Sequence, residues 1–99
     1  MNAKIIDKIK LVKEKYLSEG FIIVGVFGSF ARGDERPDSD VDILIRYGKE
    51  KSLLDLIGLE QELAAVLQRK VDVVTEDAVN KYIRPYVMKD LHVLYGEKR

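Results

Sequence analysis

Asp40 and Asp42 alternate with Val41, Ile43 and Ile45 in the stretch GSFARGDERPDSDVDILI, residues 28 to 45. Alternate residues of a strand point to the same side. An extended segment here therefore puts Asp40, Asp42 and Leu44 on one face and the three β-branched residues on the other. The α-carbons of the two aspartates then lie ~7 Å apart. At an effective dielectric of 20, two carboxylates at that spacing repel by about 2 kcal/mol. A divalent cation offsets that cost directly, and magnesium favours carboxylate and phosphate oxygens while keeping part of its water shell. Asp72, in VDVV, has the same apolar flanks. If its segment pairs beside the first, it joins the same face. Three carboxylates on neighbouring strands suit a two-metal phosphoryl or nucleotidyl transfer site, with the ions ~3.5–4 Å apart. One ion would lower the pKa of an acceptor hydroxyl, with Asp72 as its natural partner. The other would hold a triphosphate and stabilise the leaving pyrophosphate.

Gly28-Ser29 gives the same stretch a second chemical feature. Glycine lets backbone approach a phosphate closely, and Ser29 can donate a hydroxyl hydrogen bond to it. A helix starting here would aim free N–H groups the same way. Taken alone, an Asp-x-Asp pair more often sits at a solvated strand end, and Gly-Ser is usually a turn. Together with Asp72 they favour the metal–phosphate reading. Arg32 pairs structurally with Asp34, Asp38 or Asp42, or else contacts phosphate. Ser39 borders the site or bonds its own loop. His92, the sole histidine, reads as structural or surface.

The elements that must position these residues show in the pattern. Ile5, Ile6, Ile9, Val12, Tyr16 and Leu17 recur at helical spacing over 3–19, with Asn2 as cap and Gly20 as stop. FIIVGVF, 21–27, is a continuous apolar run that reads as a buried central strand. FARG starts a short helical turn, Gly33 to Ser39 is a loop, and 40–47 is the second strand. Ser52 caps a helix through about Arg69, with Leu53, Leu56, Ile57, Glu60, Leu63, Ala64 and Leu67 mostly on one face. VDVV, 71–74, is a third strand. Thr75 or Asn80 caps further helix through about Lys89, with Pro85 marking a kink or break. LHVLY, 91–95, is a closing strand or an extension of that helix. Tyr82, Tyr86 and Tyr95 read as packing residues; the alternative for the aromatic and basic residues of KYIRPYVMKD, 81–90, is contact with a partner. The order predicts an α+β fold, an α/β sandwich with a small mixed sheet and helices packed on one side.

The totals set the bounds. Ninety-nine residues suffice for one domain, 1–99, and not for two. Seventeen basic residues balance seventeen acidic ones, which argues against nucleic-acid binding driven by net charge. The absence of cysteine removes disulfides, thiolate nucleophiles and Cys-type zinc sites. No apolar run reaches the ~18 residues of a membrane span, and residues 1–16 lack a signal-peptide core. The expected location is the cytoplasm.

Gly28-Ser29, a ten-residue gap and Asp40-Val41-Asp42 together resemble the signature of the DNA polymerase β-type nucleotidyltransferase superfamily. The fuller form, Gly28-Ser29-Phe30-Ala31-Arg32-Gly33 followed by Ser39-Asp40-Val41-Asp42, resembles its minimal nucleotidyltransferase (MNT) branch. The resemblance covers nearly the whole chain and implies the polymerase β-type nucleotidyltransferase core. It implies Asp40, Asp42 and Asp72 as catalytic, metal-binding carboxylates, and Gly28 and Ser29 as the phosphate-binding turn. Arg32 and Ser39 join them on the nucleotide side. The implied cofactor is magnesium, as two ions, with manganese as an alternative, and the implied substrate is ATP. MNT proteins are similar to antitoxins of type VII modules whose toxin is a HEPN-domain ribonuclease. The implied activity is transfer of AMP from ATP to a tyrosine of that toxin, in a hetero-oligomer with it. Competing readings are nucleotide transfer to a small molecule or RNA, and a non-catalytic antitoxin that inhibits by binding. Relatives with small-molecule or RNA acceptors carry extra domains to hold them, for which this chain has no room.

Overall fold

The computed structural model describes residues 3–48, 50–79 and 81–95. The chain runs α1 (Ala3–Ser18), β1 (Phe21–Phe27), α2 (Ser29–Arg32), β2 (Val41–Tyr47), α3 (Leu53–Leu67), β3 (Val71–Thr75), a 3-10 turn (Glu76–Ala78), α4 (Arg84–Asp90) and β4 (His92–Val93). The two expected caps Asn2 and Asn80 lie outside the described residues. The four strands form one mixed sheet in the order β3-β2-β1-β4. β1 is antiparallel to β2 and β4, while β2 and β3 are parallel. The parallel pair needs a crossover, and α3 supplies it.

The main core lies between the sheet and α1 with α3. Ile5, Ile6, Ile9 and Tyr16 of α1 and Leu59, Leu63 and Leu67 of α3 pack on Ile23, Val26, Val41, Ile43 and Ile45. Phe30 and Leu94 are buried in the same cluster. Ser52 starts α3 with a complete capping box shared with Asp55, which contributes about 1 kcal/mol. The expected stripe of α3 is borne out at Leu63 and Leu67, which are buried, and at Leu56 and Ala64, which pack against the core; it departs at two positions and gains Leu59. Leu59 is buried, whereas Leu53 and Ile57 are exposed, because the sheet meets the helix on the 59/63/67 side.

The second sheet face is covered too, contrary to the expectation of helices on one side only. Val24, Leu44, Val79 and Val87 form a small cluster there, beneath α4 and the 3-10 turn. A register shift between Ile23 and Gly25 turns both Val24 and Gly25 toward this face. Val24 fills the cluster. Gly25, with no side chain, lets the His92 carbonyl of β4 pass close by, where a Cβ would collide with it. Pro85 sits in the first turn of α4 and does not kink it, a position where the missing N–H costs nothing. Residues 92–93 form a strand and not a continuation of α4. Tyr82, Tyr86 and Tyr95 are exposed, not packed; Val87 alone anchors α4 in the core. No helix among the described residues is long and apolar enough to cross a membrane.

Candidate active site

The ladder of the sheet brings the carboxylates together. Asp42 is the second residue of β2. Its neighbour on one side is Phe27, the last residue of β1, and on the other is Asp72 of β3. In-register neighbours point to the same face, about 5 Å apart. The structure therefore places Asp42 beside Asp72, on the face that also carries Leu44 and α4. Asp40 lies one residue before β2, half-buried. The strand expected from 40 starts at Val41, whose amide donates to the Lys70 carbonyl at 2.9 Å.

The Asp42 carboxyl titrates at about 6, raised by burial and then by the charges of Asp72 and Asp40, with Arg32 pulling the other way. Burial and the two neighbouring carboxylates thus outweigh the guanidinium of Arg32 at this carboxyl. The donor set fits a divalent cation of the magnesium type, which binds through one or two carboxylates and completes its shell with substrate phosphates and water. Among the described residues no group of three or more His, Cys, Asp or Glu side chains is arranged to hold a metal ion by itself, so Asp40, Asp42 and Asp72 do not form a closed three-carboxylate cage.

Gly28 closes the other side of this site. It adopts φ 77°, ψ −155° as the N-cap of α2, a region essentially reserved for glycine. A Cβ there would run into the Asp42 carboxylate. The turn thus lies directly against Asp42, and Ser29 begins the helix that follows. The amides of Ala31 and Arg32 both donate to the Gly28 carbonyl, at 3.1 and 3.0 Å. Phe30 fixes this single turn to the core with no exposed surface, a burial that contributes about 1.5–3 kcal/mol.

Arg32 leaves α2 with its guanidinium bound on two sides. Nε donates to Asp34 at 3.1 Å, and Nη1 donates to Asp90 at 2.7 Å. These carboxylates hold its pKa above the usual arginine value. The expected structural partner Asp34 is therefore present. Asp90, 58 residues further along, had no signal in the sequence. Ser39 faces its own loop, where its Oγ accepts from the Arg36 amide at 2.8 Å. Arg69 is the second residue that sequence reasoning missed. Its Nη1 donates to the carbonyls of Arg36, Pro37 and Ser39, the shortest at 2.7 Å. Its guanidinium also lies 5.0 Å over the Phe30 ring. One arginine thus ties the loop before Asp40 to the helix after Gly28. A separate hollow of about 540 Å³ between α1 and α3 is lined by Tyr16, Phe21, Lys51 and Leu54 among others, and by none of these residues.

The candidate site thus joins a small mixed sheet, a glycine turn against a strand-borne aspartate and a second aspartate beside it on the neighbouring strand. The chain belongs to the nucleotidyltransferase domain family, which matches residues 5–94. It is 39% identical over 88 residues to the protein adenylyltransferase MntA of Thermococcus cleftensis, covering 87% of this chain and 89% of that one. A solved structure assigned as a minimal nucleotidyltransferase superposes with a TM-score of 0.72 at 33% identity, over 93% of this chain and 90% of the other. The same fold occurs in a solved complex of tri-AMPylated Shewanella oneidensis HEPN toxin with MNT antitoxin. That match has a TM-score of 0.56 and 18% identity, over 85% of this chain and 70% of the other.

Proposed function

We propose that this chain is the antitoxin of a HEPN/MNT pair and transfers AMP from ATP to a tyrosine hydroxyl of a HEPN-domain ribonuclease. The observation that carries the reading is the Asp42–Asp72 pairing directly against the Gly28 turn. The named activity of the Thermococcus relative and the AMPylated toxin in the Shewanella complex support the acceptor class.

The chemistry is one exchange at phosphorus. The acceptor oxygen bonds to the α-phosphorus of ATP, the bond to the β-phosphate bridging oxygen breaks, and pyrophosphate leaves. Gly28 and Ser29 receive the triphosphate, with backbone approach possible because Gly28 carries no side chain. Asp40, Asp42 and Asp72 would hold divalent cations. When bound, such cations neutralise the triphosphate and the carboxylates. Asp72, exposed at the outer strand, faces the incoming hydroxyl and takes up its proton. Arg32 stands close enough to Asp42 to favour its ionised form and contributes positive charge on the nucleotide side.

The test is co-expression with a HEPN-domain ribonuclease, followed by intact mass spectrometry of the partner. The expected result is a gain of one or more AMP units that disappears with the double substitution Asp40→Asn/Asp42→Asn. A partner that is inhibited but unmodified, and protected equally by the double variant, would replace this reading with inhibition by contact.

A further inference from the structure

The sheet has one face closed by α1 and α3, and one that carries Asp42. A macromolecular acceptor must therefore approach over the second face. Three successive residues of β2 on that face meet different fates. Asp42 is left at the site, Leu44 is covered by Val87 of α4, and Arg46 is engaged by Glu76 of the 3-10 turn. The segment 81–90 is thus the wall that stands beside the carboxylates. Its C-terminal end is fixed to the glycine turn through the Arg32–Asp90 ion pair, 2.7 Å long.

The outward surface of this wall is apolar and basic. Tyr82 and Tyr86 are each 73% exposed, Met88 48% and Ile83 44%. Val93 and Tyr95, beyond it, are also about half exposed, at 49% and 48%. Tyrosine and methionine are enriched in protein interfaces, where they supply large contact area. Lys81, Arg84 and Lys89 are exposed in the same segment, and no acidic residue occurs between 81 and 89. The chain as a whole has zero formal net charge, so this local excess of cations stands out.

We propose that the outer surface of residues 81–89, centred on Tyr82 and Tyr86, is the docking surface for the protein that presents the acceptor hydroxyl. The inference rests on the adenylyltransferase reading above. The occupant it fits is a protein surface with an apolar patch and flanking carboxylates. Exposed Ile83, one turn before Tyr86 and Val87, suits apolar packing, and the small number of cations does not suit RNA, whose binding is dominated by phosphate neutralisation. A partner seated there sits at a fixed offset from Asp42 and Asp72, because Val87 and Asp90 lock the helix to the sheet and to the turn. Docking then also orients the hydroxyl, which is the main contribution of positioning to such a transfer.

The experiment compares wild type, Tyr82→Ala/Tyr86→Ala and, as a control on the far face, Leu54→Ala/Ile57→Ala. The probes are the HEPN-domain protein of the preceding test, AMP-PNP with manganese, and a single-stranded RNA. The expected result is that the tyrosine double variant loses tenfold or more in partner affinity and in kcat/KM for AMP transfer. Its AMP-PNP affinity and thermal midpoint stay at the wild-type level, and the control behaves as wild type throughout. Wild-type partner affinity in the tyrosine variant, or loss in the far-face control alone, overturns the proposal. So does RNA binding that the tyrosine pair controls while partner binding is unaffected. If wild type binds the HEPN protein through Tyr82 and Tyr86 yet transfers no AMP, the docking surface stands and the adenylyltransferase reading falls. A wild-type chain that neither binds nor modifies the HEPN protein removes both.

Discussion

Asp42 and Asp72 are direct neighbours across the parallel β2–β3 ladder, so two carboxylates share one face of the sheet. This has a thermodynamic signature. The folded-state carboxyl of Asp42 titrates at about 6 against an ordinary 3.8. A raised carboxyl pKa means that the folded state holds the proton more tightly than the unfolded chain. The resulting stabilisation is complete below pH 3.8 and is lost as pH rises through about 6. In the metal-free protein, Asp42→Asn should therefore raise the thermal midpoint at pH 8 relative to wild type, and do so much less at pH 4. Discounted for solvent screening at this half-buried site, the gain is about 1 kcal/mol. Paired melts at the two pH values with a chelator present measure it. A gain that is the same at both would show that relief of charge is not its cause.

Gly28→Ala should damage the site more than the fold. The backbone there has φ 77°, which costs a non-glycine residue of order 1–3 kcal/mol. The new Cβ also points into the Asp42 carboxylate, which must leave its present position. The expected outcome is a folded protein, lower in thermal midpoint, with AMP transfer reduced at least a hundredfold. Circular dichroism and the labelled-ATP assay together check it. Transfer at the wild-type rate would mean that Asp42 is not where the reaction takes place.

Much of this was legible from residue types. The FIIVGVF run, the Ser52 cap and the 41–47 alternation each carry a local signal, and each element formed where its chemistry pointed. Asp72 was reachable because its apolar flanks match those of Asp42. Long-range relations left no such trace. Nothing local to Asp90 or Arg69 reveals an ion pair to Arg32 or a hold on the Arg36–Ser39 carbonyls. The bulge that turns Val24 and Gly25 to the same face is set by the partners of β1, not by its own composition. The tyrosines of the last third misled because aromatic residues in a small chain read as core. Only the packing of α4 by Val87 alone shows that they face outward.

Asp72→Asn should separate binding from transfer. Asp72 is exposed on the outer strand, whereas Asp42 lies between β1 and β3 and against the Gly28 turn. Removing the outer carboxylate leaves the phosphate side of the site intact. AMP-PNP affinity with manganese should change by no more than about threefold, while transfer falls a thousandfold or more, a loss worth about 4 kcal/mol in the transition state. Calorimetric titration and single-turnover assays give the two numbers. Equal losses in both would place Asp72 on the nucleotide instead.

Arg32 should set the pH at which the site becomes competent. Its charge is the one influence that lowers the Asp42 pKa, against burial and two neighbouring carboxylates. Its own geometry is held by Asp34 and Asp90. Arg32→Ala removes the opposing charge, so the Asp42 carboxyl moves further up from about 6. On the proposed reading, metal-dependent nucleotide binding needs ionised Asp42, and its acid limb should follow the shift to higher pH. Arg32→Lys keeps a charge, but not the fork that spans both carboxylates, and should fall between the two. The measurement is manganese–AMP-PNP affinity from pH 5 to pH 8.5 in all three proteins. Above the limb, any affinity still missing in Arg32→Ala reports direct contact with phosphate. An unmoved limb accompanied by a uniform loss would assign Arg32 to the phosphates alone and leave the ionisation of Asp42 to other groups.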